Sequence, residues 1–126
     1  MSSVPKIKKT NIPPHLEVKG GVRLSGFLKV SGAKNSSLVL MAAALLTKET
    51  LLIENVPQLT DIHLMSEILR NLGAKTTKKS NSIEINSEAI YNAELPYQLV
   101  HSLRASFFCI GPLLARLGEA KIPLPG

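Results

Sequence analysis

Lys34 and Asn35 stand where a glycine-marked turn gives way to an apolar run, in the stretch "VSGAKNSSLVLMAAALL" from Val30 to Leu46. A helix that starts there carries unpaired amides and the positive end of its dipole at its first turn, which favours a phosphate or carboxylate. Lys34 would add a point charge and Asn35 a group that donates or accepts. The alternative reading is a solvated lysine with Asn35 as the helix cap, and the residues alone leave both open. "GAKN" lacks the G-x-x-x-x-G-K-[ST] spacing of a phosphate-cradling P-loop. Arg104, in "LRASFF", is the second candidate, since a guanidinium on an otherwise apolar helix suits bidentate recognition of a carboxylate or phosphate. A structural ion pair is its alternative. Arg116, near a helix end, reads as a partner for a C-terminal dipole.

Other reactive side chains offer less. Cys109 lies between Phe108 and Ile110 with no histidine nearby in sequence, and reads as a small hydrophobe. His15, His63 and His101 have no ligand spacing, and a single thiol supports neither an internal disulfide nor a cysteine-rich zinc site. No pair of carboxylates presents itself as an acid/base couple. No metal site is expected.

The elements that must position these groups follow from periodicity. Residues 1–14 read as a flexible basic leader, with Lys6, Lys8 and Lys9 among prolines and serines. "HLEVKG" and "VRLSGFLKVSG" alternate apolar and polar residues and predict short strands, with Leu16 and Val18 on one face, then Val22, Leu24, Leu28 and Val30. Ser36 to Leu46 predicts a helix buried on most sides. "TLLIENVP" predicts a strand. Thr60 to Leu72 predicts an amphipathic helix with Thr60 as N-cap, Asp61 at its positive end and Gly73 beyond its last turn. Lys75–Lys79 and Ser82–Asn86 predict a hairpin. Pro96 opens a helix through Ile110, kinked at Gly111–Pro112 and closed by Gly118. "AKIPLPG" predicts the start of a strand. The fold class is α/β (α+β), with one unit at about 15–90 and a second at 91–126 that reads as incomplete.

Composition narrows the function classes. The chain has 126 residues, 44% hydrophobic and 19% charged, which suits a globular domain. The net charge is +6, half of it in the leader, and aromatics are 4%, so no nucleic-acid surface is expected. The longest nearly apolar run, Leu38 to Leu46, falls well short of the roughly 20 residues of a membrane span. No apolar segment follows the leader lysines as in a secretory signal. A cytoplasmic setting is expected.

Together, "SGAKNSSLVLMAAALL", "LLIENVPQLTDI", "LRNLGA" and "LRASFFCIGPLLARLGEAKIPLPG" resemble the UDP-N-acetylglucosamine 1-carboxyvinyltransferase family, over about Leu16 to Gly126. These are enolpyruvyl transferases that open peptidoglycan precursor synthesis, and thus serve cell-wall biogenesis. The resemblance implies a fold of six similar α/β units in two inverted barrels, of which this chain would be about two. It implies that Lys34 and Asn35 hold phosphoenolpyruvate and that Arg104 contacts UDP-N-acetylglucosamine, with no cofactor. The implied reaction joins the sugar 3-hydroxyl to C2 of phosphoenolpyruvate: protonation at C3, addition of the hydroxyl, then expulsion of phosphate. In the family, "LPG" runs on to a reactive cysteine that would fall two residues past Gly126, and Cys109 is not its equivalent. The general base and further arginines also lie in the family's remaining length. No catalytic residue is therefore expected in this chain. The expectation is an N-terminal piece, inactive alone, whose partner is the missing C-terminal portion. A non-enzymatic remnant or anion-binding module is one alternative. A 3-phosphoshikimate 1-carboxyvinyltransferase-like enzyme is the other; that relative usually has serine after the lysine where Asn35 stands.

Overall fold

A computed structural model describes residues 13–124. The first helix, α1 (Lys34–Ala43), continues as a 3-10 turn (Ala44–Leu46). Then come β1 (Thr50–Glu54), α2 (Thr60–Asn71), β2 (Lys75–Lys78), β3 (Ser82–Asn86) and α3 (Tyr97–Ser102). A 3-10 segment (Arg104–Cys109) runs directly into α4 (Ile110–Leu117). The mixed α and β composition agrees with the expected class.

The three strands form an antiparallel sheet in the order β1-β3-β2. Register places Ile53 opposite Ile83 and Leu51 opposite Ile85. Ile83 and Ile85 turn the covered face of the central strand inward and are fully buried. Alternation along β3 thereby fixes which face meets the helices. Helix α2 supplies Ile62, Met65, Ile68 and Leu69 at helical spacing to the same core, and each is sealed from solvent. That core also takes in Leu38, Met41 and Leu45 from the first helical segment, and Leu95, Val100, Leu103, Cys109 and Leu113 from the last third of the chain.

Several expectations change. The strands read at Leu16–Val18 and Val22–Val30 do not form; residues 15–30 have no ladder, and Leu16, Val22, Leu24, Leu28 and Val30 are exposed. An alternating pattern becomes a strand only where a neighbouring ladder and a covered face are available, and the described residues offer this segment neither. Helix α1 starts at Lys34 rather than Ser36, and buries one face only, with Val39 and Leu40 open to solvent. Thr60 is the first helical residue of α2 rather than its cap; extended Leu59 takes that place, and its carbonyl accepts from the amides of Ile62 and His63. Gly73 stands just past Leu72 with φ 106°, as the sequence implies.

The helix expected from Pro96 to Ile110 is two elements. Leu103 is extended (φ −139°, ψ 101°) and separates α3 from the 3-10 segment. Gly111–Pro112 does not kink a longer helix; it lies in the first turn of α4. Pro112 has no amide to reach Phe108, and its ring crowds that carbonyl. The preceding turn accordingly tightens, with the Ile110 amide donating to Phe107. Lys121 makes an isolated parallel bridge with Glu94 where a strand was expected to start.

Candidate functional site

Gly32 leads the chain into α1. A Cβ there would overlap the Asn55 carbonyl oxygen, so the approach is open only to glycine. Asn55 itself follows β1 with φ 57°, a left-handed conformation that asparagine tolerates. The turn after β1 and the entry to α1 therefore fix each other's position, and with it where Lys34 emerges.

The first intrahelical bond of α1 runs from the Ser37 amide to Ala33 at 3.1 Å, and the buried Ser37 hydroxyl donates to the same carbonyl at 2.9 Å. The amides of Lys34, Asn35 and Ser36 precede it and lie at the open end of the helix. No side chain caps this end, so Asn35 is not the cap of the alternative reading; it is exposed in the first turn.

Lys34, Asn35 and Arg104 line one cavity of about 290 Å³. Leu38, Leu103 and Ala105 provide its apolar part, and Asp61 its carboxylate. The extended Leu103 is what turns Arg104 to this place. The hydroxyl of fully buried Ser106 donates to the Leu103 carbonyl at 2.7 Å and its amide at 3.1 Å, which pins the break just before Arg104. Arg104 is exposed and makes no ion pair with another described residue, so the structural-pair alternative does not hold for it within that range. Similar hollows exist elsewhere, but one formed by Leu24–Leu28 brings no ionisable group together.

Lys34 is not simply solvated either. Its Nζ lies 2.7 Å from Asp61 Oδ2, with the two side chains 45% and 32% exposed. Asp61, read from the sequence only as a dipole partner in the first turn of α2, is thus also part of the cavity wall. Nothing in the spacing could have found it, because the pair joins two helices that meet only in the folded chain.

Arg116 stands in the last turn of α4, as its sequence reading expects, and its guanidinium reaches beyond that helix. It serves a helical end other than its own: Nη1 donates to Leu45 at 2.8 Å and Thr47 at 3.0 Å, where the first helical segment ends, and Nη2 donates to Ser87 at 3.1 Å. Cys109 is fully buried, and burial pushes its thiol up to about 12, as suits a packing residue. Among the described residues no helix is long and apolar enough to cross a membrane, and no cluster of histidine, cysteine or acidic groups is arranged to hold a metal.

A family profile described as EPSP synthase (3-phosphoshikimate 1-carboxyvinyltransferase) matches residues 18–126. A UDP-N-acetylglucosamine 1-carboxyvinyltransferase from Prochlorococcus marinus (strain NATL2A) is 82% identical over the whole chain, which covers 28% of that relative. A protein of the same description from Synechococcus sp. (strain CC9605) is 50% identical, again over the whole chain and 29% of the relative. The chain thus spans less than a third of the length of the curated relatives it matches. Among solved structures, the enolpyruvyl transferase NikO from Streptomyces tendae superposes with a TM-score of 0.71 at 33% identity, over 80% of this chain and 24% of that one. With sequence and fold in agreement, the chain belongs to the enolpyruvyl transferase family whose profile is described as EPSP synthase (3-phosphoshikimate 1-carboxyvinyltransferase).

Proposed function

We propose that this chain forms one wall of the substrate site of a cytoplasmic enolpyruvyl transferase that transfers the enolpyruvyl group of phosphoenolpyruvate to the 3-hydroxyl of UDP-N-acetylglucosamine, in cell-wall precursor synthesis. The observation that carries the reading is the shared cavity: Lys34 and Asn35 from the mouth of α1, and Arg104 from far along the chain, converge on one hollow. Both substrates are phosphorylated anions. An ammonium, a guanidinium and the open amides of a ten-residue helix supply the fixed positive charge that such ligands need. Lys34 and Asn35 take the phosphoenolpyruvate side, and Arg104 the sugar-nucleotide side. Fixed charge of this kind holds reactants in register and stabilises a departing phosphate. The curated relatives' descriptions support the sugar nucleotide as acceptor.

The role proposed for these 126 residues is binding. Calorimetry on the purified chain tests it: UDP-N-acetylglucosamine should bind, and Arg104→Ala should weaken it at least tenfold, a loss of about 1.4 kcal/mol or more. Binding that survives Arg104→Ala unchanged would sink the assignment. The description of the matching profile favours a second reading, with 3-phosphoshikimate as acceptor. Competition separates the two: 3-phosphoshikimate should fail to displace the sugar nucleotide. An anion module without an enzymatic role would bind inorganic phosphate as tightly as either substrate.

A further inference from the structure

The cavity with two cations also contains a carboxylate, and that carboxylate already holds one of the cations. A dipole-stabilising acid needs only to be in the first turn of its helix. Asp61 does more: it reaches out of α2 to the first residue of α1, and the contact spans the mouths of both helices. Neither side chain is buried, so the contact exchanges readily with solvent or with an arriving anion. A cavity with Lys34, Arg104 and the unpaired amides of α1 but no acid would bind any small anion. With Asp61 present its formal side-chain charge falls from +2 to +1, and an anion must compete for the ammonium.

Building on the anion-site reading above, we propose that Asp61 is a positioning residue that acts through Lys34, a built-in counter-charge that holds the ammonium across the cavity mouth and weakens binding of simple anions there. The ligand that overcomes it is a multiply charged organic phosphate that engages Lys34 together with the open amides of α1.

The test is titration of the full chain with inorganic phosphate and, separately, with phosphoenolpyruvate at low ionic strength. Asp61→Asn should bind inorganic phosphate about three- to tenfold more tightly than the unsubstituted chain, the size expected from removing one unit charge several ångströms from a dianion in a partly hydrated site. The gain should shrink in 0.5 M salt, where the screening length is roughly 4 Å. Asp61→Glu keeps the charge and should return affinity to the original value. A merely structural role would not tighten binding, and thermal melts of each variant verify folding. Phosphoenolpyruvate binding that depends on Lys34 (lost in Lys34→Met) but phosphate affinity unchanged or lower in Asp61→Asn would overturn the counter-charge while leaving the site reading intact. Failure of every variant, and of the unsubstituted chain, to bind either anion would overturn both.

Discussion

At Cys109 the physics of a single side chain gives a measurable consequence. The thiol stays protonated in the folded chain up to about pH 12, whereas an unfolded chain releases that proton near 9.0. Between those values the unfolded state binds fewer protons, so the stabilising contribution is complete below about pH 9 and is lost as pH rises toward 12. Denaturation midpoints at pH 8 and pH 10.5 should show a decline in the unsubstituted chain that is shallower in Cys109→Ala. The difference is at most about 1.4 kcal/mol per pH unit. Folded protein should likewise resist iodoacetamide until denatured. Gly32 makes a steric prediction of the same scale. Gly32→Ala drives a methyl into the Asn55 carbonyl, and the chain must shift to accept it. A cost of about 1–3 kcal/mol is expected from urea denaturation, along with weaker binding of phosphoenolpyruvate because Lys34 moves with the turn.

At the scale of elements, the break at Leu103 decides where Arg104 stands. Removing the Ser106 hydroxyl that pins it should cost about 0.5–1.5 kcal/mol. It should also loosen the sugar nucleotide more than phosphoenolpyruvate, because Arg104 follows the break directly. Ser106→Ala measured by urea denaturation and by calorimetry with each ligand tests both parts. This element also marks how far the sequence could be read. Apolar spacing identified α2, and Gly73 and Gly118 both fall where helices end, because those signals are local. The break before Arg104 was not visible. Leu99, Val100, Leu103 and Phe107 continue a helical period straight through it, while the contact that pins it comes from a hydroxyl three residues downstream. The strands expected between Leu16 and Val30 failed for the opposite reason: their pattern is clear, but a strand needs a partner that pattern alone does not supply. At the site, Lys34 and Asn35 were legible as a cation and a polar neighbour at a helix start, and Arg104 as a cation on an otherwise apolar helix. Asp61 as their companion was not, since it is brought in by the packing of α1 on α2.

At the scale of the molecule, one apolar core joins the first helical segment, the sheet and the last third of the chain. Truncating Ile68, which is fully buried at its centre, should cost about 2–5 kcal/mol in Ile68→Ala, with the loss read equally from helical signal and from tyrosine fluorescence. The cavity floor is built from the same core through Leu38 and Leu103. Substitutions remote from any ligand should therefore weaken binding in step with stability, and a plot of the two across core variants tests this.

Arg116 gives the whole a further property. One planar cation clasps backbone from two distant stretches of chain, and three carbonyls converge on its two terminal nitrogens. Lysine, with a single tetrahedral nitrogen, cannot reproduce that fork. Peeling α4 away would break all three of these hydrogen bonds together, so partial detachment of that helix is disfavoured. A protease nick within that helix should consequently appear only when the entire body unravels.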